Sequence, residues 1–411
     1  MHLIRRHPRL LALLLLICLI AAGLVLAAPS LRTWYHLRAA RSETARFHNA
    51  QAIRHLQVCL DRWPNDPDVL FLAARAARRA RNYAESERLL EKYQQLRGLD
   101  NESSSEQLLL TVERNVDRMA AQCWRSVEAD PESSRSSLLF EALTRGYLRK
   151  YELTNARACL NHWLVSQPNC VQAHYLDGLF ILDYLHAKNE AERSYRRALD
   201  LDPEHEEARL GLAFILVDTK TFSEAIDHLE YLKKRQPENL RLQMGLAECY
   251  AGSGDLTQAE QLADGVLAQE PRYAAAIALQ GRLALQNGEY EQAETLLRCA
   301  VELAPSDRRA RHNLINCLNR SGKTEEAQRH QKDIEERDKD LARFDEIVTK
   351  ELPERPTDPS LHCTLGQLFL REGFAEEGLR WLQSALQIDP QYAPARQALK
   401  DYYATLAKEK R

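Results

Sequence analysis

LDPEHEEARLGLAFILVDTKTFSEAIDHLEYLKKRQPENLRLQMGLAECYAGSGDLTQAEQLADGVLAQEPRYAAAIALQGRLALQNGEYEQAETLLRCAVELAPSD, residues 201–307, carries Pro203, Pro237, Pro271 and Pro305, each 34 residues after the one before. A fixed period of this length is the mark of a two-helix unit stacked on copies of itself. The chemistry repeats with the length. Counting from Glu206, Leu240, Ala274 and Arg308, the eighth position reads Ala213, Ala247, Gly281 and Ile315, and the twentieth reads Ala225, Ala259, Ala293 and Ala327. Small side chains in phase let two antiparallel helices approach closely where they cross. Between the helices stand Asp218-Thr219-Lys220, Gly252-Ser253-Gly254, Asn287-Gly288 and Ser321-Gly322, all turn chemistry, and each proline closes the second helix because it cannot continue the ladder.

Working outward, composition agrees with an all-α chain. Of 411 residues 45% are hydrophobic, enough for a large core, and no long run alternates with period two as a sheet would require. The net charge of −3 offers no general attraction to nucleic acid, and a nucleic-acid function is not expected.

The N-terminus reads differently. Residues 1–9 form a short basic tail with Arg5, Arg6 and Arg9, followed by residues 10–28 without a charge. Nineteen residues span about 28 Å as a helix, the thickness of a bilayer core, so 10–28 is expected to be a single transmembrane anchor. A cleaved signal peptide is the competing reading, since Val25-Leu26-Ala27 offers small residues before Ala28. A short basic tail ordinarily stays inside, which puts the repeat domain outside the cytoplasm. The flanking charges nearly tie, with Arg32, Arg38 and Arg41 on the far side.

Degenerate helix pairs are expected over 31–168, regular repeats over 169–340, an extended helix and connection over 341–358, and a last repeat with a closing helix over 359–411. Leu99–Ser105 reads as a loop, and helices are expected at 106–128 and 135–149. No Gly or Pro falls between Thr324 and Lys350, so one long charged helix is expected there.

These residues resemble the tetratricopeptide repeat family, of the membrane-anchored bacterial type. The family pattern lies on Tyr175, Gly178, Ala191, Tyr195, Ala198 and Pro203, and again on Leu365, Gly366, Phe369, Leu382, Ala385 and Pro390. The resemblance implies a right-handed α-α superhelix behind the anchor, no enzymatic activity, no cofactor, and a concave groove for protein or peptide partners. The first helix of each pair lines that groove. Its outward positions give Tyr175, Leu179, Leu182, Leu210, Phe214 and Met244, then Arg282, Arg309, His312 and Asn316. Such a surface, apolar and then polar-basic, suits a segment with an apolar anchor followed by acidic groups. The family's carboxylate clamp is not matched: Asn316 fits one slot, but the clamp's lysines are missing.

Two other chemistries compete. Cys159, His162, Cys170 and His174 have the residue types zinc prefers and flank the turn at Pro168, so a metal-dependent enzyme or metal-regulated module is the alternative. Cys159 is equally well explained as a core residue. Gly322-Lys323-Thr324 has the ending of a phosphate-binding loop, but Cys317 stands where the motif requires a glycine, and the reading is an inter-helix turn. The leading expectation is a membrane-anchored scaffold or assembly factor.

Overall fold

The computed structural model describes residues 30–185 and 187–409, all of whose regular elements are helices joined by short turns. The expected anchor at 10–28 lies outside the described residues. Among the described residues no helix is long and apolar enough to cross a membrane. The chain divides into two compact units, one running to Lys150 together with Asn155–Ala208, the other comprising Tyr151–Thr154 and the chain from Arg209 on.

In the second unit the pairs are Leu240–Ser253 with Leu256–Gln269, Ala274–Asn287 with Tyr290–Leu303, and Arg308–Arg320 with Thr324–Glu346. Three of these six helices start from a short polar cap: Asn239 accepts from the Arg241 N–H at 3.1 Å, Asp255 from the Gln258 N–H at 3.1 Å, and Asp307 from the Ala310 N–H at 3.0 Å. Gly254, Gly288 and Gly322 adopt φ of 90°, 83° and 76° in the left-handed region where only glycine is free of Cβ strain. Lys220, one period earlier, takes φ 62° without that relief.

The close crossings fall where the small residues stand. Ala213, Ala225, Ala247, Ala259 and Ala293 are fully buried and Ala327 nearly so. A Cβ on Gly281 would sit 2.8 Å from Leu297 Cγ, and one on Gly366 would sit 2.7 Å from Leu382 Cγ. Around each crossing the leucines supply the stabilisation, about 1.5–3 kcal/mol for each fully buried side chain.

Among the described residues the first unit opens on the helical stretch 30–45, which buries Thr33, Leu37, Ala40 and Thr44, and continues through Asn49–Arg62, Pro67–Arg79 and Tyr83–Arg97. Two expectations fail between Leu99 and Ala129. Leu99–Ser105 is not a loop: Asp100 caps a helix Asn101–Arg114, accepting from the Ser103 N–H at 2.7 Å while Ser103 Oγ accepts from the Asp100 N–H. The serines that look like loop composition form a capping box. The helix expected over 106–128 is broken at Asn115, with a single 3-10 turn Val116–Arg118 before Ala120–Ala129. The break lowers fully buried Val116 onto Gly146, where a Cβ would meet Val116 Cβ at 2.9 Å and Val112 O at 2.7 Å.

The unit then runs through Ser134–Arg149, Val171–Leu185 and Lys188–Leu201. It curls until its ends meet. His48, fully buried, holds Glu43 through Nδ1 at 2.6 Å and Asp202 through Nε2 at 2.8 Å. Arg46 donates to Asp202 at 3.1 Å and to Glu204 at 2.9 Å, while Gln51 and Arg54 donate to Glu206. In the second unit, the long charged helix is present as Thr324–Glu346. It passes into one π turn, Ile347–Glu351, before the last pair, Pro359–Arg371 and Ala375–Ile388.

Candidate functional site

In the second unit the candidate surface is the row of first helices. Leu210, Phe214 and Val217 are half-buried on the helix Glu206–Asp218, which belongs to this unit from Arg209 on, and the Arg241 guanidinium lies 4.3 Å from the Phe214 ring centroid. Met244 departs from the expectation: it is 5% exposed and packs in a core with Ala247, Ala259 and Ala263, so it presents no side chain to a ligand. Further along, Arg282 donates to Glu248 at 2.8 Å, and Arg309 reaches Glu248 at 3.5 Å and Asp218 at 3.6 Å. His312 and Asn316 are exposed on the same helix as Arg309.

The stretch that reads as polar-basic is therefore charge-balanced. Two arginines face two carboxylates, and Arg309 contacts its pair at the outer edge of hydrogen-bond range while 58% exposed. The sequence carries a signal of this, because Glu248 occupies the same frame position as Phe214 and Arg282.

A second concavity of about 310 Å³ lies in the same unit, lined by Ile334, Leu341, Phe344, Leu368, Phe369 and Phe374. Its rim is closed by ion pairs, among them Arg308–Asp338 at 2.6 Å and Arg337–Glu372 at 2.8 Å. It exists because the helix Thr324–Glu346 outruns the ordinary fourteen residues, as in Leu256–Gln269, before the next pair begins. The sequence trace of this is the interval from Pro305 to Pro356, which is not a multiple of the period.

In the first unit Tyr175 is half-buried against Tyr195 and His205, with ring centroids 6.3 and 5.1 Å away, and burial pushes its phenol up to about 12. Leu179 and Leu182 are likewise half-buried. The inner part of the unit is filled by its own charges. Arg78 donates to Glu106 at 2.5 Å and pairs with Glu113; Arg145 and Gln172 donate to Glu141 at 3.2 and 2.9 Å. All six of Arg78, Arg145, Glu106, Glu113, Glu141 and Gln172 are buried.

Burial pulls the Arg79 guanidinium down to about 10 against the attraction of Glu141, 3.4 Å away. Burial also raises the Glu113 carboxyl, whereas for Glu106 the same desolvation is more than offset by Arg78 and Arg75 and the carboxyl is held low. Arg78 Nη2, Glu113 Oε2, Thr144 Oγ1 and Gln172 Oε1 are buried without a hydrogen-bond partner in the protein. Water is the natural occupant of such polar sites. This arginine–glutamate lattice is absent from the sequence reading, since charged residues at helix spacing read as a solvated face.

The Cys/His alternative is not assembled. Cys159 is fully buried with its Sγ 3.6 Å from Phe140 O, and burial pushes its thiol up to about 12. His162 packs its ring against Phe140 and Trp124, and His174 Nε2 lies 2.9 Å from Pro168 O. Cys170 is half-buried, its thiol raised by burial. Among the described residues no three His, Cys, Asp or Glu side chains come together as a metal site. Gly322-Lys323-Thr324 is the turn between two helices, with Lys323 Nζ bound to Glu294 at 2.6 Å.

Residues 189–230, 217–283 and 284–350 match the tetratricopeptide repeat family. This part of the chain is thus built of repeats of the tetratricopeptide type. Among curated proteins the chain is similar to anaphase-promoting complex subunit 7 of Dictyostelium discoideum, 26% identical over 270 residues. The match takes in 65% of this chain and 42% of that protein, so the chain spans less than half the length of its relative. Among solved structures, a tetratricopeptide repeat protein from Parabacteroides merdae ATCC 43184 has 16% identity and a TM-score of 0.36, covering 70% of this chain and 99% of that one. YrrB, described as a tetratricopeptide repeat protein with an unusual peptide-binding site, has 20% identity and a TM-score of 0.39, covering 46% and 96%. Scores this low carry no site across. None of these likenesses supports the membrane-anchored bacterial type.

Proposed function

We propose that this chain is a scaffold that holds a protein segment along the first helices of its second unit, and that the uncharged run 10–28 tethers it to a membrane with the repeats outside the cytoplasm. The observation that carries the binding reading is the row Leu210, Phe214, Arg282, Arg309, His312 and Asn316, with Arg309 loosely held and open to exchange. An incoming segment anchors an apolar side chain beside Phe214 and offers carboxylates to Arg309 in place of Glu248 and Asp218. The likeness to a subunit of a multiprotein complex supports a scaffold over a catalyst. The tether raises the local concentration of membrane partners without adding contacts.

Two charge changes test it in opposite directions. Partners are captured from native membranes with the tagged full-length chain and identified by mass spectrometry. Glu248→Gln removes the carboxylate shared by Arg282 and Arg309, leaving Arg309 only Asp218, and should retain an acidic partner more strongly, whereas Arg309→Glu should lose it. Equal recovery of the same partner by both variants and the parent rules out binding along this row.

A further inference from the structure

The helix 30–45 has two apolar faces. One is spent on the core through Thr33, Leu37, Ala40 and Thr44, as helical spacing dictates. On the opposite side Leu31, Trp34 and Tyr35 are 61%, 58% and 67% exposed, and exposed Arg38 lies next on the same stripe, with exposed Arg32 beside it. The Trp34 ring lies T-shaped to Trp63 at 5.4 Å, and the Tyr35 ring T-shaped to His36 at 5.5 Å and His55 at 6.4 Å. Elsewhere in the described residues the exposed large apolar side chains are mostly single, as on any soluble surface.

Three large apolar groups on one helical turn, two of them Trp and Tyr, interleaved with arginine, have the composition of a membrane–water interface. Indole and phenol place a ring among the upper acyl chains and a polar tip among the headgroups, and guanidinium sits beside lipid phosphate. The position in the chain fits as well. The uncharged run ends at Ala28, and only Pro29 and Ser30 separate it from Leu31. A bilayer holding that run has its headgroup layer at the level of this turn.

We infer that the outer face of helix 30–45 lies in the lipid headgroup layer, with Leu31, Trp34 and Tyr35 as its anchors and Arg32 and Arg38 facing phosphate. The inference rests on the tether reading and adds to it a fixed attitude of the first unit against the membrane. The face is then a lipid contact and not a site for a second copy or another protein.

The test uses the full-length chain reconstituted into vesicles of phosphatidylcholine with a minority of phosphatidylglycerol, with and without brominated acyl chains. Subtracting the emission of Trp34→Phe from that of the parent isolates Trp34 from the other tryptophans. Brominated lipid should cut that difference emission at least about twofold while leaving buried Trp163 unaffected. Tyr35→Asp keeps every tryptophan and should weaken the quenching. A chain that floats with the vesicles but whose Trp34 is not quenched overturns the surface contact and leaves the tether standing. If that chain also sediments as a dimer, a second copy covers the face. A chain that fails to float overturns both.

Discussion

The guanidinium of Arg309 lies 3.6 Å from the Asp218 carboxylate, across the inner edges of two intervening first helices of the second unit. The groove is thus wired lengthwise by ions as well as packed crosswise by leucines. Exposed pairs of this kind contribute only about 0–1 kcal/mol. Arg309→Ala should therefore leave the urea midpoint almost unmoved while changing partner capture. A large loss of stability would show that Arg309 is structural and not available to a ligand.

Turn strain gives a second expectation. Lys220 occupies the place of Gly254, Gly288 and Gly322 with φ 62°. Left-handed backbone costs a non-glycine residue about 1–2 kcal/mol, part of which the added chain entropy of glycine offsets. Lys220→Gly should raise the stability of the second unit by roughly 0.5–1 kcal/mol, and Gly288→Ala should lower it by about 1 kcal/mol. Thermal melts followed by circular dichroism read both.

Close crossings give a third. Gly281 leaves 2.8 Å between an added Cβ and Leu297. Gly281→Val should destabilise by about 1–3 kcal/mol through overpacking, and Leu297→Ala in the same chain should recover part of the loss. Strict additivity of the two changes would place the crossing elsewhere.

The charged interior of the first unit predicts an asymmetry. Arg78→Met leaves Glu113 buried without its ion-pair partner and Glu106 with Arg75 alone, and should cost about 3–5 kcal/mol, whereas replacing Arg78, Glu106 and Glu113 together by apolar residues of similar volume should cost far less. Denaturant midpoints of the single and triple variants decide the matter.

Acid should loosen the same unit. Burial holds His205 down to about 4 from an ordinary 6.5, with neighbouring His48 adding to the effect. The unfolded chain therefore binds a proton there that the folded chain refuses, so stability is full above pH 6.5 and is lost as pH falls toward 4. Asp202, whose desolvation is outweighed by its hydrogen bonds and by His48, has its carboxyl held below its ordinary 3.8 and adds a further loss below that pH. Glu113, raised by burial, acts in the opposite sense. The urea midpoint should fall between pH 7 and pH 5, and His205→Gln should flatten that slope. An unchanged slope would mean that His205 is protonated in the folded chain.

How much of this is legible in the sequence depends on what repeats. Ala225, Ala259 and Ala293 announce the crossings because the same contact recurs each 34 residues, and the structure buries all three completely. The capping box at Asp100 and Ser103 misleads because serine composition says loop while serine position says helix start. The role of Asp218 stays hidden because its pairing with Arg309 passes over two first helices and has no period, whereas Glu248 shows only through the frame position it shares with Phe214 and Arg282. Met244 reads as a groove position and is a core residue, since one turn of helix separates the two kinds of position.

The clasp of His48 and Arg46 on Asp202 also orders events at the ribosome. The first helices emerge with their partners still unmade, and the far half of the clasp arrives only after roughly 8–30 s of synthesis at ordinary elongation rates. Until then His48 and the chain around it are open to water, to proteases and to whatever chaperone meets nascent chains, and a pause placed before residue 206 would lengthen that exposure.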